Sequence, residues 1–568
     1  MKTRNLTTLS IGWIIVSLAP VHAAFGADTT AAGAGVQRAE SLFGRVTNAA
    51  TGRPLLGARV EVQGQDRVAL TDGEGEYRFL GMSSGNVTLS VSYTGLDTAV
   101  IPVVIAPGAA THRDVGLTAE IYRLSKFVVS GEREGNAEAI TLQKLSAGVR
   151  NIVSTDAFGS LAGNPADLLM RMPGVMAESV GGDRRYIRIR GINENLNTVT
   201  MDGNRIGSGG GSAGGTRSYE FAAVGADTIE RVEVVKSPTP DMDADSIGGA
   251  VNMVSKSAFD GARERRIRGS YGMIWRALNA RDHPRRTYSF SYSEVFADKL
   301  GVAINYGNRQ HSNLNDKGTQ AFGALPNAVA GPAYNTTFAT QDFRNIRTAW
   351  GGGLRLDYKL SEHSRFFINS TMSKYLEVAN HIYGTYSTAA TLATFDANGN
   401  PNGTGAIRPG FTENMTEWVA VNYFNAAGTL VAPSRATASS RTEYRRDQQF
   451  NTQLTGIHKY DTLEINWDAY RSKSKAHYPG NKTFDTIARG FGLRIERKDE
   501  PYWPVVTQTG GPDVTNINSY TENLYSVSIR SGWDAVLGGA LSAKKSFNTV
   551  VPTYIKAGYR IREQTRRA

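Results

Sequence analysis

From about residue 264 to the C-terminus the chain alternates. Polar and apolar side chains trade places through R-R-I-R-G-S-Y-G-M-I-W, R-T-Y-S-F-S-Y-S-E-V-F, L-G-V-A-I-N-Y-G-N, A-W-G-G-G-L-R-L-D-Y-K-L and S-R-F-F-I-N-S-T-M-S. The same period continues in N-T-Q-L-T-G-I-H-K-Y, L-E-I-N-W-D-A-Y and Y-I-K-A-G-Y-R-I-R. A period of two places successive side chains on opposite faces of a strand. Such a run predicts a large antiparallel sheet with one polar and one apolar face. Tyr, Trp and Phe recur near the strand ends, where a membrane-spanning barrel carries its aromatic girdles. Turns such as A-D-K and L-S-E-H are short, whereas two connections are long, roughly 308 to 346 and 375 to 441. Long loops gathered on one side are where function concentrates.

The N-terminus reads as an export signal. Lys2 and Arg4 form a positive region, Leu9 to Leu18 a short apolar one, and Val21-His22-Ala23 a small-x-small cleavage site. Residues 1–23 are thus expected to be a signal peptide, followed by a linker over 24–40; Ala24-Phe25-Gly26 is a second possible cleavage site. The apolar run is shorter than the roughly 20 residues of a membrane-spanning helix, and no later stretch qualifies. The chain has no cysteine, which excludes disulfides, cysteine metal sites, cysteine nucleophiles and lipoprotein acylation. The net charge of +11 is spread along alternating strands and forms no basic block, so nucleic acid is not an expected partner. Eight histidines make no close metal-ligand pair, and no G-x-S-x-G elbow is present. Neither an enzyme nor a metal or cofactor site is expected.

Residues 41–118 read as a small β-sandwich. Thr51-Gly52-Arg53-Pro54 and Asp72-Gly73 punctuate turns between Arg59-Val60-Glu61-Val62 and Tyr77-Arg78-Phe79-Leu80, and further short strands follow. The order G-x-V, T-G-x-P-L-x-G-A-x-V, T-D-x-x-G-x-Y and S-Y-x-G resembles the carboxypeptidase regulatory-like domain. No H-x-x-E pair accompanies it, and His112 is its only histidine, so a non-catalytic module is expected.

Residues 140–260 mix helix and strand. Asn164 caps a helix that starts at Pro165, carries Leu168, Leu169 and Met172 on one face, and stops at Pro173-Gly174. In R-Y-I-R-I-R-G, Ile187 and Ile189 face one way and Arg188 and Arg190 the other. Asp202-Gly203 is a hairpin turn. D-L-L-M-R-M-P-G-V, I-R-I-R-G-I-N, T-V-T-M-D-G and I-E-R-V-E-V-V-K-S-P-T-P-D-M-D-A-D-S-I-G-G-A-V-N-M-V-S-K occur in the order of the plug domain of TonB-dependent outer-membrane receptors, which this part of the chain resembles. The resemblance implies that Arg188, Arg190, Asp202 and Glu233 fasten the plug in its barrel, with ordinary solvation of strand edges as the other reading. Gly191, Gly203, Gly248 and Gly249 are its turn positions. Gly209, Gly211 and Gly214 spell G-x-G-x-x-G, but no helix follows to present its N-terminus to a phosphate, so 207–216 reads as a flexible loop.

Between these domains lies K-F-V-V-S-G-E-R-E, with strong β preference and no partner beside it. It is either a last strand of the sandwich or a segment that adds to another protein's sheet edge. The resemblance implies the latter, a TonB box within 124–133 formed by Phe127, Val128, Val129, Ser130 and Gly131. TonB, the periplasmic energy-coupling protein, is then the partner. The fold class is mainly β: a sandwich, an α/β plug, and part of an antiparallel transmembrane barrel over 264–568. About ten strands are countable against about 22 in a plugged transporter barrel, and no terminal aromatic closes the sequence, so the chain reads as truncated. The implied function is uptake of a scarce solute, a glycan fragment or iron chelate, across the outer membrane. The alternative is a surface ligand-binding or signalling receptor without transport.

Overall fold

The computed structural model describes residues 41–567 except 120–133 and shorter internal stretches, the longest of them 156–163, 276–282 and 324–332. The expected signal peptide, the linker and Phe127–Gly131 lie outside the described residues. The protein is mainly β. Its first unit is a sandwich of two four-stranded sheets. In one, Ser41–Asn48 pairs antiparallel with Glu76–Leu80 and parallel with Ala110–His112 and Val115–Leu117. The other runs Arg67–Leu70, Arg59–Val62, Gly85–Tyr93, Leu96–Ile105. Alternation carries Leu42, Val46, Val60, Val62, Leu89 and Val91 into one core between them.

The second unit is built on a five-stranded mixed sheet. Its order is Asn204–Arg205, Asn197–Met201, Gly249–Ser255, Ile229–Val235, Arg150–Ser154, with the hairpin Val175–Val180/Asp183–Ile189 packed alongside. Helix Pro165–Leu169 begins where Asn164 accepts from the Ala166 N–H, and it buries Leu168 and Leu169 in the core. Asp202 and Gly203 both have positive φ, 48° and 83°, the backbone a two-residue hairpin of this hand requires. A further helix, Glu134–Lys144, was not legible in the sequence. It has no apolar stripe: its buried positions include Ala137, Ala139 and Thr141, side chains too small to write a helical period.

The third unit is a wall of nine antiparallel strands in chain order: Arg266–Ile274, Arg285–Phe296, Leu300–Gly323, Tyr334–Ser361, Ser364–Ser387, Arg435–Tyr460, Leu463–Arg489, Thr521–Phe547 and Thr553–Arg567. Its outer face is apolar, with Ile304, Leu354, Ile368, Phe450, Leu454, Leu541 and Ile561 exposed. Its inner face is polar and buried, with Asn305, Arg347, Asp357, Glu377, Arg445, Gln449 and Asp534 in line. That is the inverse of a water-soluble sheet and the pattern of a strand wall in lipid. No helix among the described residues is long and apolar enough to cross a membrane, which speaks of helices alone.

Two expectations about the connections are corrected. Most of 308–346 and the first part of 375–441 are strand, because the ladder continues past the apolar band, where both faces are polar and the alternation fades. The long connections are 388–434 and 490–520, and they fold onto each other. Strands Met415–Glu417, Gly492–Glu496 and Val505–Gly510 form a small sheet between them. Trp418 is fully buried there against Ile407, Phe491 and Leu493, and its Nε1–H donates to the Asn335 carbonyl at 2.8 Å. Trp418→Ala is therefore expected to destabilise this cap by about 3–5 kcal/mol and leave the wall standing. Hydrogen exchange confined to 388–434 and 490–520 would show it.

Candidate functional site

The inner face of the wall meets the second unit along every strand from Leu300–Gly323 to Thr553–Arg567. A sheet that touches one compact body through so many neighbours must curve around it. The contact is polar. Hairpin Asp183–Ile189 places Arg185 in phase with Ile187 and Ile189, on its buried face. Arg185 reaches Glu377 of the wall at 2.5 Å, and Glu377 also receives Arg347 at 2.7 Å and Asn345 at 2.9 Å. Asp183 faces Arg347 at 3.4 Å and His311 at 3.3 Å. Burial pushes the Asp183 carboxyl up, but His311 and Arg347 outweigh it and hold the group well below the usual carboxylate range.

A second group centres on Arg445, whose guanidinium is shared between Glu220 of the second unit and Asp447 two residues along its own strand. Tyr186 adds a hydrogen bond to Glu220 at 2.8 Å, and Tyr219 reaches Gln449 at 2.9 Å. At a third point Arg562 pairs with Asp243, which neighbours Arg205 and Asp245. The wall's own pairs recur under each contact: Arg347 stands directly across from Glu377, Arg566 across from Asp534, and Arg355 pairs with Asp357 at 3.1 Å. Asp202 bridges too, receiving Asn369 of the wall at 2.7 Å and Ser255 at 2.8 Å.

Of the four expected fasteners, Asp202 is the one shown bonding to the wall. Arg188 pairs with Glu178 and Glu194 of its own unit, Arg190 donates to the Gly248 carbonyl, and Glu233 holds Arg150 and Arg231. Arg188 lies on the strand face opposite Ile187 and Ile189, Arg190 just past the strand end, and Glu233 is buried within the unit's own sheet. Among the turn positions, Gly191 and Gly249 have φ of 74° and 143°, and a side chain at Gly248 would strike Asn197. The glycine loop also differs from expectation over 207–210. The Gly207 and Gly209 N–H groups donate to Ser472 and Ser474 of the wall at 2.9 and 2.8 Å. A Cβ on Gly209 would stand 2.7 Å from the backbone of Lys475 and Ala476, so glycine here allows close seating on the wall. Residues 211–215 lie outside the described residues. Arg185, Asp183 and Glu220 were missed; the available signal was a charge at Arg185 in step with two buried isoleucines.

Two outcomes test the seat. Arg445→Met strands the buried Asp447 and leaves Glu220 only Tyr186 and a 3.8 Å approach of Arg185, so it is expected to destabilise the seated unit by roughly 3–5 kcal/mol in chemical unfolding, with Arg445→Lys recovering little because it lacks the planar fork. Asp183 is depressed, so its contribution is complete above the ordinary carboxylate pKa and fades as pH falls through its lower folded value. Protease resistance of residues 183–255 should thus hold from neutral pH down to about 4 and fail in stronger acid. Asp183→Asn should remove part of that acid step.

Residues 41–118 match the family model of the carboxypeptidase regulatory-like domain, and residues 142–250 match that of the TonB-dependent receptor plug domain. Among solved structures, the ferric citrate transporter FecA in its unliganded form is similar at 11% identity with a TM-score of 0.28, over 71% of this chain and 63% of that one. A variant of the ferric enterobactin receptor PfeA from Pseudomonas aeruginosa, in complex with enterobactin, gives 10% and 0.30 over 71% and 63%. The siderophore receptor PiuA from Acinetobacter baumannii gives 14% and 0.27 over 73% and 61%. This chain thus spans less than two thirds of the length of each. The chain thus carries a carboxypeptidase regulatory-like domain followed by a plug domain of the TonB-dependent receptor type.

Proposed function

We propose that the protein is an outer-membrane receptor that takes up a scarce solute, a glycan fragment or an iron chelate, with energy delivered by TonB. The wall spans the lipid with its apolar face outward, the short-turn rim and the sandwich face the periplasm, and the loop cap faces outside. TonB adds its sheet edge to Phe127, Val128, Val129, Ser130 and Gly131 as an extended strand, where backbone hydrogen bonds carry the grip. The domain limits follow: signal peptide 1–23, linker 24–40, sandwich 41–118, TonB box and linker 124–133, plug 140–260 and wall 264–568.

The observation that carries this reading is the plug seat. A compact unit is held inside a polar wall by charges that each have a second partner, an arrangement suited to being pulled away and reseated. No covalent chemistry is required of any residue. Val128→Pro removes a backbone donor from the segment TonB would pair with. Uptake of labelled oligosaccharide or ferric chelate should then fall to the level of a TonB-deficient strain while binding to whole cells is retained. Uptake that survives the substitution and the loss of TonB would favour the surface-binding or signalling receptor.

A further inference from the structure

The sandwich makes contacts that neither family match explains. Its turn T-D-G-E-G-E sets three carboxylates at alternate positions. Asp72 Oδ1 accepts from the N–H groups of Glu74 and Glu76 at 3.1 and 2.9 Å, which stiffens the turn. Each carboxylate then takes a cation from the wall's short-turn rim: Asp72 takes Lys459 at 2.9 Å, Glu76 takes Lys359 at 2.8 Å, and Glu74 takes Arg365. The three cations come from two neighbouring hairpins, Ser361–Ser364 and Tyr460–Leu463. Arg365 does more than pair. It donates to Asp357 of the wall at 2.7 Å and to Ser257 of the plug at 3.3 Å, and lies over the Phe259 ring at 4.9 Å. Sandwich, plug and wall meet on one guanidinium.

A second attachment lies on the plug side. Arg53 of the sandwich reaches Glu138 of helix Glu134–Lys144 at 2.8 Å and Glu230 of the plug sheet at 3.4 Å. Glu138 is also held by Arg231 at 3.3 Å. Thr94 meets Thr141 at 3.2 Å, and a side chain at Gly57 would strike Thr141 and Leu145. Burial pushes the Glu138 carboxyl up to about 7 against the pull of Arg53 and Arg231.

We propose that the sandwich is a clamp, docked by its acidic turn on Lys359, Arg365 and Lys459, which pins the plug's leading helix so that the helix is freed only when the sandwich lifts away. The inference concerns contacts within the chain and stands whether or not any solute passes. The helix rests on strand Arg150–Ser154, where Gln143 accepts from the Ile152 N–H at 3.2 Å, and it buries only small side chains, so the sandwich contacts add to a shallow seat. Release of the plug's leading end then becomes a two-part event in which the clamp yields first.

The test uses the full chain in detergent. Glu74→Gln/Glu76→Gln should speed amide exchange in Glu134–Lys144 by roughly tenfold, the factor that about 1.4 kcal/mol makes in an opening equilibrium. Exchange in the plug strand Gly249–Ser255 should not change. Glu76→Lys and Lys359→Glu should each have a similar but smaller effect, and combining them should restore slow exchange. Because the chain has no cysteine, labels on cysteines placed at Ser90 and Glu362 report the sandwich-to-rim distance directly. A narrow distribution that broadens in the neutralised variant and narrows again in the charge swap supports the clamp. A broad distribution in the parent chain would overturn it. So would exchange that is insensitive to neutralisation, a swap that fails to restore it, or acceleration that spreads equally through the plug core.

Discussion

Between the edge strands Arg266–Ile274 and Thr553–Arg567, every backbone N–H and C=O of the wall that faces lipid must find its partner within the sheet, and this requirement organises the rest of the molecule. An amide left open in hydrocarbon is worse by several kcal/mol, more than one side-chain contact recovers. The response is a ladder of strands up to 28 residues long, in register with their neighbours through most of their length. With the outer face committed to apolar side chains, the inner face is the surface left for polar ones. Charges, amides and hydroxyls therefore accumulate inside, and whatever fills the interior has to match them. The plug does so with carboxylates, arginines and backbone N–H groups, not with an oily surface.

Such an interface is specific more than it is strong. Removing charges from water offsets much of what their pairing contributes, and the net value of each buried pair is modest. Displacing one pair from its partner is far worse than lacking both. Many directional contacts distributed over neighbouring strands consequently define one seating of the plug. The glycines at Gly207 and Gly209 serve the same end by letting main-chain donors come within hydrogen-bond reach of Ser472 and Ser474. Position is determined by geometry and charge together, with apolar packing reserved for the plug's own core.

Much of this was legible in the sequence wherever the period of the side chains reports on the local environment. The strands Ile229–Val235 and Gly249–Ser255, the Asn164 cap and the Asp202-Gly203 turn follow from residues within a few positions of one another. The wall was legible in its apolar band and lost beyond it, where Leu300–Gly323 and Tyr334–Ser361 continue with both faces polar and the contrast between faces disappears. Helix Glu134–Lys144 was invisible because alanine and threonine write no stripe. The plug contacts were the least legible. Arg188 and Arg185 are three residues apart with the same charge, yet one pairs within its own unit and the other with Glu377, 192 positions away. What separates them is phase: Arg185 shares a face with Ile187 and Ile189, and a charge on a buried face has to be answered from elsewhere in the fold.

The pairs along the inner wall have one further property. Arg347 pairs with Glu377, Arg445 with Asp447, Arg355 with Asp357 and Arg566 with Asp534, all within the wall, so the plug supplies neither member of these pairs. Arg347, Arg445 and Arg355 are two-sided forks, one edge turned to the wall and one to the plug. Withdrawing the plug would leave each of the four guanidinium groups its wall carboxylate, whereas Arg562, whose partners Asp243 and Asp245 belong to the plug, would lose both. At these four pairs the socket carries its own counter-charges, so that part of its lining is balanced without the plug.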